Sequence, residues 1–411
     1  MNVLLLSTQD AHGAGTSALR LHQGMGEVGI RSKLLVQEKH SHCHNIYSLQ
    51  GGLRNISIKV KRRMDLLPLL LEKTTDKNFS VQWLQNIRKH EVDFFDPDII
   101  NLHWICKSFV SIEMLKNLSV PIVWTLHDMW PFTGGCHYSH DCDRYMQSCG
   151  RCPKLTSNKE ADISRWIWNR KLNSWKNIEM TIVTPSKWLE KCARASSLFR
   201  ERRIETIPYG LDLDIYRPID KTMARSLLNL PLDKKIVLFG ATVLSDERKG
   251  WHFLQLALES IASTCLAGNI SLLTFGSYAR EDQKINLETY ELGKLHDDAT
   301  LALAYSAADV FVAPSVQDNL PNTVLEAISC GTPCVAFHIG GMSDMIDHQK
   351  NGYLSMPFDY EDLAQGIVWI LEDENRYEKL RHQAREKAEA EFSLNYQAAR
   401  YSRLFCELTG K

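Results

Sequence analysis

The stretch Val310-Phe311-Val312-Ala313-Pro314-Ser315-Val316-Gln317-Asp318-Asn319-Leu320-Pro321-Asn322-Thr323-Val324-Leu325-Glu326-Ala327-Ile328-Ser329-Cys330-Gly331-Thr332-Pro333-Cys334-Val335-Ala336-Phe337 carries the repeating pattern of the whole chain. A short apolar run reads as a buried strand that ends at Pro314. A polar loop follows. A helix starts near Asn322, with Asn or Thr as its cap. Pro333 to Phe337 is then apolar and strand-like again. Strand, helix and strand in so short a span is the unit of a parallel sheet.

The same unit recurs on both sides. Upstream, Lys235–Gly240 and Ile270–Gly276 read as strands. Further back, Asn2–Ser7, Ser32–Gln37, Asp98–His103, Pro121–His127 and Met180–Ser186 form an earlier alternating series. The interruption is Arg203 to Pro218, a Pro- and Asp-bearing connector. Two Rossmann-like α/β domains are therefore expected, over residues 1–205 and 206–390, with a C-terminal helical segment at 391–411 packing back toward the first. Ligands of open parallel sheets sit beyond the carboxyl ends of the strands, so the cleft between two such sheets is the expected site.

Several polar residues fall at those strand ends or helix starts. Free N–H groups at the helix start would suit phosphate or sugar oxygens. Glu326 is a carboxylate among Leu325, Ala327 and Ile328, and a ribose diol supplies it with two donors. Arg248-Lys249-Gly250 places two cations after a strand, although a solvated turn accounts for them as well. His127 ends a strand, and Asp128 beside it is positioned to orient it. Gly13-Ala14-Gly15 follows the first strand without completing a dinucleotide fingerprint.

Taken in order, these fragments resemble the retaining GT-B glycosyltransferases of family four. The acidic-x7-Glu signature is Asp318 to Glu326, continued by Cys330-Gly331-Thr332-Pro333. Pro208-Tyr209-Gly210-Leu211-Asp212, Ala307-Ala308-Asp309-Val310-Phe311-Val312, and Gly340-Gly341 through Asn351-Gly352-Tyr353 also fit. The stretch His127 to Pro153 is similar to transferases from exopolysaccharide clusters, such as those for colanic acid. The resemblance implies a GT-B fold and a hexosyltransferase that uses a nucleoside-diphosphate sugar, with retention, in polysaccharide, exopolysaccharide or O-antigen biosynthesis. It implies that Glu326 binds the ribose and that Asp318 contacts the donor sugar. Amides from Asn319 and Leu320 through Asn322 and Thr323 would hold sugar and phosphate. Lys249, helped by Arg248, would neutralise the departing diphosphate without a metal. His127 would contact the donor sugar, Gly13 and Gly15 would let backbone approach the phosphates, and His12 would lie near the acceptor. One departure stands out: relatives carry an Arg after the glycine ending the first strand of the second domain, whereas Ala241 follows Gly240 here. Another is Ser343-Asp344-Met345 after the Gly340-Gly341 loop.

Four of the 11 cysteines cluster as Cys136-x5-Cys142-x6-Cys149-x2-Cys152. A structural zinc knot, a pair of disulfides and unbonded thiols all suit this spacing. Ser57 to Leu71 mixes basic and apolar residues. It suits either an anionic membrane surface carrying a lipid-linked acceptor or an ordinary amphipathic helix broken at Pro68.

Composition sets the outer limits. The chain has 411 residues, 44% hydrophobic and 24% charged, which excludes disordered, collagenous and coiled-coil classes. A net charge of −1 argues against nucleic-acid binding. Residues 1–185 hold 23 Lys and Arg against 17 Asp and Glu, so the first half is the basic one. No signal peptide and no membrane-spanning run are read, and a cytoplasmic protein, peripheral on the inner face of the membrane, is expected. A sugar-nucleotide 2-epimerase on the same fold and a non-catalytic nucleotide-sugar-binding scaffold are the alternatives. Donor base selection is expected near Gly276-Ser277-Tyr278.

Overall fold

A computed structural model describes residues 1–41, 43–72, 74, 78–262, 267–277 and 287–411, with only the backbone given at Leu71 and Ala267. Cys265 and Tyr278, the latter part of the expected base-selecting loop, lie outside the described residues. The chain divides into two compact units. One comprises Met1–Tyr209 with Gln397–Lys411, the other Gly210–Tyr396.

The first unit holds a seven-stranded sheet of β1 (Asn2–Gln9), β2 (Arg31–Glu38), β3 (Ile46–Ser48), β4 (Ile99–Leu102), β5 (Ile122–Thr125), β6 (Met180–Thr184) and β7 (Ile204–Thr206). Their order is β3-β2-β1-β4-β5-β6-β7, and every neighbouring pair is parallel. Strand side chains alternate between faces, and here both faces are covered. Leu4 and Leu6 join Leu102 and Trp124 in a core on one side. Val3 and Leu5 join Val123 and Val183 on the other, where Tyr401, Leu404 and Phe405 of the C-terminal segment complete the packing. Burial on both faces explains why these strands read as continuous apolar runs.

The second unit has six strands: β8 (Lys235–Val243), β9 (Ile270–Ser277), β10 (Thr289–Glu291), β11 (Val310–Ala313), β12 (Cys334–Phe337) and β13 (Gly352–Ser355). Their order is β10-β9-β8-β11-β12-β13, again all parallel. The order reverses at β8 and β11, the adjacent central strands. Loops at the carboxyl ends of such neighbours diverge and leave room for a ligand.

Candidate active site

In the second unit, the loops after β8, β11 and β12 converge. The turn after β8 ends at Gly250, with φ +72°, and a Cβ there would lie 1.8 Å from the Pro314 carbonyl oxygen. Val316 N–H donates to the Arg248 carbonyl at 2.9 Å. On the other side Gly340, with φ +53°, would bring a Cβ to 1.9 Å from the Asp318 carbonyl oxygen. Two glycines thus let backbone close on both sides of the Pro314–Asp318 loop.

That closure assembles a charged cluster. Asp318 is buried, and its Oδ2 receives Lys249 Nζ at 2.6 Å, Arg248 Nη1 at 3.0 Å and Ser315 Oγ at 3.4 Å. Burial alone would raise the Asp318 carboxyl, but Lys249 and Arg248 hold it far below the usual carboxylate range. Burial likewise pulls the Lys249 ammonium down, and Asp318 pulls it back toward the charged form. Arg248 also sits 3.6 Å from Asp246. The structure therefore brings Lys249, Arg248 and Asp318 together, with the carboxylate occupied by the two cations.

The helix Asn322–Ser329 begins immediately beyond. Its cap residue is Pro321 rather than Asn or Thr, and no side chain caps its first turn. Proline's ring supplies no acceptor, so the first-turn N–H groups receive no side-chain oxygen from that position. Asn319 and Leu320 are buried in the approach, while Asn322 and Thr323 form the half-buried first turn. One turn on, Glu326 is buried and its Oε2 accepts the Tyr305 hydroxyl at 2.8 Å. Tyr305 was not singled out in the sequence; an aromatic among Ala304, Ser306 and Ala307 reads as core. Gly240 packs under the Phe275 ring, where a Cβ would come within 2.0 Å, and Ala241 after it is buried.

In the first unit the expected residues again follow strand ends. After β1, His12 and Gly13 take φ +58° and +45°. Gly15 lies so close to that strand that a Cβ would be 2.6 Å from the Gln9 carbonyl oxygen. β4 and β5 both run into histidine: His103 Nδ1 lies 2.9 Å from His127 Nε2, and His127 Nδ1 lies 2.6 Å from the Tyr209 hydroxyl. Burial pulls His127 down to about 4 despite the Asp128 charge, and His103 falls well below its ordinary value. The expected orienting role of Asp128 is corrected by the geometry. Its carboxylate accepts His137 Nδ1 at 2.7 Å, Trp104 Nε1 at 2.9 Å and Trp130 N–H at 2.8 Å. His127 is held by His103 and Tyr209, which the sequence reading passed over although His103 carries the same strand-end signal.

Cys136, Cys142, Cys149 and Cys152 do converge, lining one cavity of about 20 Å³ together with Phe79, Arg144 and Tyr145. All four are free thiols. Burial pushes Cys136 and Cys149 up to about 12. Among the described residues, no three His, Cys, Asp or Glu side chains are placed to hold a metal ion. The four thiols of the expected zinc knot thus share one cavity, and no step is derived through a metal there. Nearby, fully buried Lys171 donates to the carbonyls of Trp130 and Thr133, fixing the turn that leads into Cys136.

Residues 11–215 match the family described as Glycosyltransferase Family 4, and residues 233–373 match Glycosyl transferases group 1. The Escherichia coli protein WcaC, assigned to colanic acid biosynthesis as a glycosyl transferase, is 26% identical over 86% of each chain. The sucrose-phosphate synthase of Thermosynechococcus elongatus superposes with a TM-score of 0.71 at 20% identity, covering 100% of this chain and 99% of that one. The Anabaena protein Alr3699/HepE, solved with UDP-glucose, superposes with a TM-score of 0.65 at 15% identity over 99% and 100%. The chain is a GT-B glycosyltransferase, a member of glycosyltransferase family 4 that carries a glycosyl transferases group 1 domain in its second unit.

Proposed function

We infer that the protein transfers a hexose from a nucleoside-diphosphate sugar to a growing, lipid-linked polysaccharide, with retention at the anomeric carbon. The observation that carries this reading is the Lys249–Asp318–Arg248 cluster beside the uncapped start of the helix Asn322–Ser329, with Glu326 one turn inside. When the bond from the anomeric carbon to the phosphate oxygen breaks, negative charge grows on the diphosphate. Lys249, Arg248 and the N–H groups from Asn319 to Thr323 oppose that charge where it develops, and this lowers the barrier rather than merely tightening binding. Glu326 accepts from the ribose diol, and Asp318 sets the cations and meets the donor sugar. His127 contacts a sugar hydroxyl, while Gly13 and Gly15 let backbone come close to phosphate and acceptor. Retention follows from a same-face route in which the departing phosphate takes the proton of the acceptor hydroxyl. The relative assigned to colanic acid biosynthesis supports a polysaccharide acceptor, and the Anabaena complex with UDP-glucose supports a nucleotide-sugar donor.

A donor screen tests this directly. Thermal unfolding with millimolar UDP-glucose, GDP-mannose or ADP-glucose is expected to show a rise of several degrees for one base. A ligand at about 100 times its Kd adds about 2.7 kcal/mol. Absence of any shift with all three would sink the reading.

The lipid-linked acceptor and a peripheral place on the inner membrane face are supported by one surface. In the helix Gly52–Met64, Leu53, Ile56, Val60 and Met64 follow a 3-4-4 spacing and all are exposed. Leu67 and Leu70 extend the stripe, with Leu53 84% and Leu70 79% exposed. The helix has no acidic residue, and Lys59 and Arg63 flank the stripe. Apolar exposure bordered by cations fits an anionic lipid surface. Among the described residues no helix is long and apolar enough to cross a membrane. In vesicle sedimentation, binding is expected with phosphatidylglycerol present, to weaken with salt, and to be lost in a Leu53→Glu, Leu70→Glu double variant. Equal binding to neutral vesicles, or none, overturns the membrane assignment.

A further inference from the structure

The buried polar chain at the carboxyl edge of the first sheet fixes which hydrogen each member carries. It begins at a group with no choice. The Val123 carbonyl can only accept, so the Asn101 amide points its Nδ2 at it, at 3.1 Å, and at Thr125 Oγ1, at 3.0 Å. This leaves Asn101 Oδ1, an obligate acceptor, facing His103 Nε2 at 3.0 Å. His103 Nε2 therefore carries a hydrogen and donates. Buried and in the neutral form, His103 then has a lone pair at Nδ1, which lies 2.9 Å from His127 Nε2. That nitrogen must donate in turn. His127 is left with a lone pair at Nδ1, and the Tyr209 hydroxyl, 2.6 Å away, donates to it. Every donor points the same way, from Tyr209 through His127 and His103 to Asn101, and hydrogen bonds in such a series polarise one another.

We propose that Asn101 and His103 are positioning residues that lock His127 as the Nε2–H tautomer, so that Nδ1, which accepts from the Tyr209 hydroxyl here, accepts from a sugar hydroxyl that takes the place of that donor. The proposal rests on the reading that His127 contacts the transferred sugar. It adds the polarity of that contact and the two residues that set it. The alternative polarity needs a charged His103, whose Nδ1–H would donate to His127 and reverse the series. The surroundings oppose that charge. His103 and His127 are both buried, and Asp128, the acidic group acting on His127, is engaged by His137, Trp104 and Trp130. The remaining titratable groups of the network are the phenols Tyr209 and Tyr401; burial raises Tyr401, which closes the far end on Thr125 Oγ1 at 2.7 Å.

The test reads tautomers on the intact chain. Two-bond proton–nitrogen correlation spectra of protein labelled with 15N-histidine distinguish Nε2–H, Nδ1–H and imidazolium forms, and His103→Gln and His127→Gln variants identify the two resonance sets. Expected are two neutral Nε2–H imidazoles that do not titrate between pH 6 and 8. In Asn101→Leu, which removes the terminal acceptor, His127 should become a mixture of tautomers, with kcat/KM falling about ten-fold, the scale of one neutral hydrogen bond. An Nδ1–H tautomer or an imidazolium at His127 in the native protein overturns the proposal, whether or not the Asn101 variant folds. So does an unchanged His127 tautomer in a folded Asn101→Leu protein. Full turnover by His127→Ala would instead remove the sugar-contact reading and leave the tautomer assignment standing.

Discussion

Lys249→Ala is expected to lower turnover of the nucleotide sugar by roughly 10²–10³-fold, the usual scale for one lost charge-stabilising contact. The Lys249 ammonium sits 2.6 Å from Asp318 Oδ2, and Arg248 shares the same oxygen at 3.0 Å. Removing Lys249 therefore leaves the buried carboxylate still paired, so the fold is expected to survive with a small loss of stability. The catalytic loss is larger because Lys249 is the cation nearest Asp318, while Arg248 is shared between Asp318 and Asp246, so on the proposed reading the variant removes the main positive charge facing the diphosphate. Arg248 alone then balances Asp318, and the leaving group gains no net cation. The loss should appear in kcat, since an interaction that strengthens as charge develops acts on the transition state. Lys249→Arg should recover part of it. Steady-state kinetics with the donor found by thermal shift, alongside Tm for each variant, separate the two effects. Wild-type-like kcat in a folded Lys249→Ala protein would falsify the assignment.

Much of the fold is legible because its strands are buried on both faces. Runs such as Val3–Leu6 and Val310–Ala313 cannot be surface elements. β3, β7, β10 and β13 escape the same reading since they have only three or four residues and little apolar content, and β7 falls inside the stretch read as a connector. The stretch Asn375–Leu408 reads as helical by composition, and it divides into Glu374–Glu391 and Leu394–Thr409. The cause is nonlocal. Leu211 donates to the Phe392 carbonyl at 2.8 Å and accepts from Leu394 N–H at 3.1 Å, so a distant segment pins the intervening residues outside the helix.

The candidate site divides along the same line. Lys249, Asp318 and Glu326 are visible because charge sits at strand ends and in an apolar helix, where charge needs a reason. Their partners are less so. Nothing near Tyr305 announces that its hydroxyl will meet Glu326 21 residues away. Asp128 precedes its observed partner His137 by nine residues, and local order favours the adjacent His127 instead. The cysteine spacing suggests a common centre, and the thiols do share a cavity, but ligand geometry depends on backbone directions that spacing leaves open.

Glu326→Ala is expected to lower kcat/KM by roughly 10²–10⁴-fold, with Tyr305→Phe as the variant that makes the result interpretable. A carboxylate that accepts two ribose hydroxyls forms two charge-assisted hydrogen bonds, each about 1.5–3 kcal/mol. Each 1.4 kcal/mol is a factor of ten. Glu326 is buried, however, and already accepts the Tyr305 hydroxyl at 2.8 Å. Its removal leaves that phenol without this acceptor, a structural cost of about 1–3 kcal/mol that alone could reduce activity. Tyr305→Phe removes the donor and keeps the carboxylate. If Glu326 serves mainly to hold Tyr305, both variants should lose similar activity and similar Tm. If it holds the nucleotide, Tyr305→Phe should stay within about ten-fold of the native enzyme while Glu326→Ala falls much further, and nucleoside diphosphate should stabilise the first variant but not the second. The Glu326→Ala, Tyr305→Phe double variant completes the cycle. Once the tyrosine no longer needs an acceptor, stability should recover, and on the proposed ribose-binding role of Glu326 turnover should not.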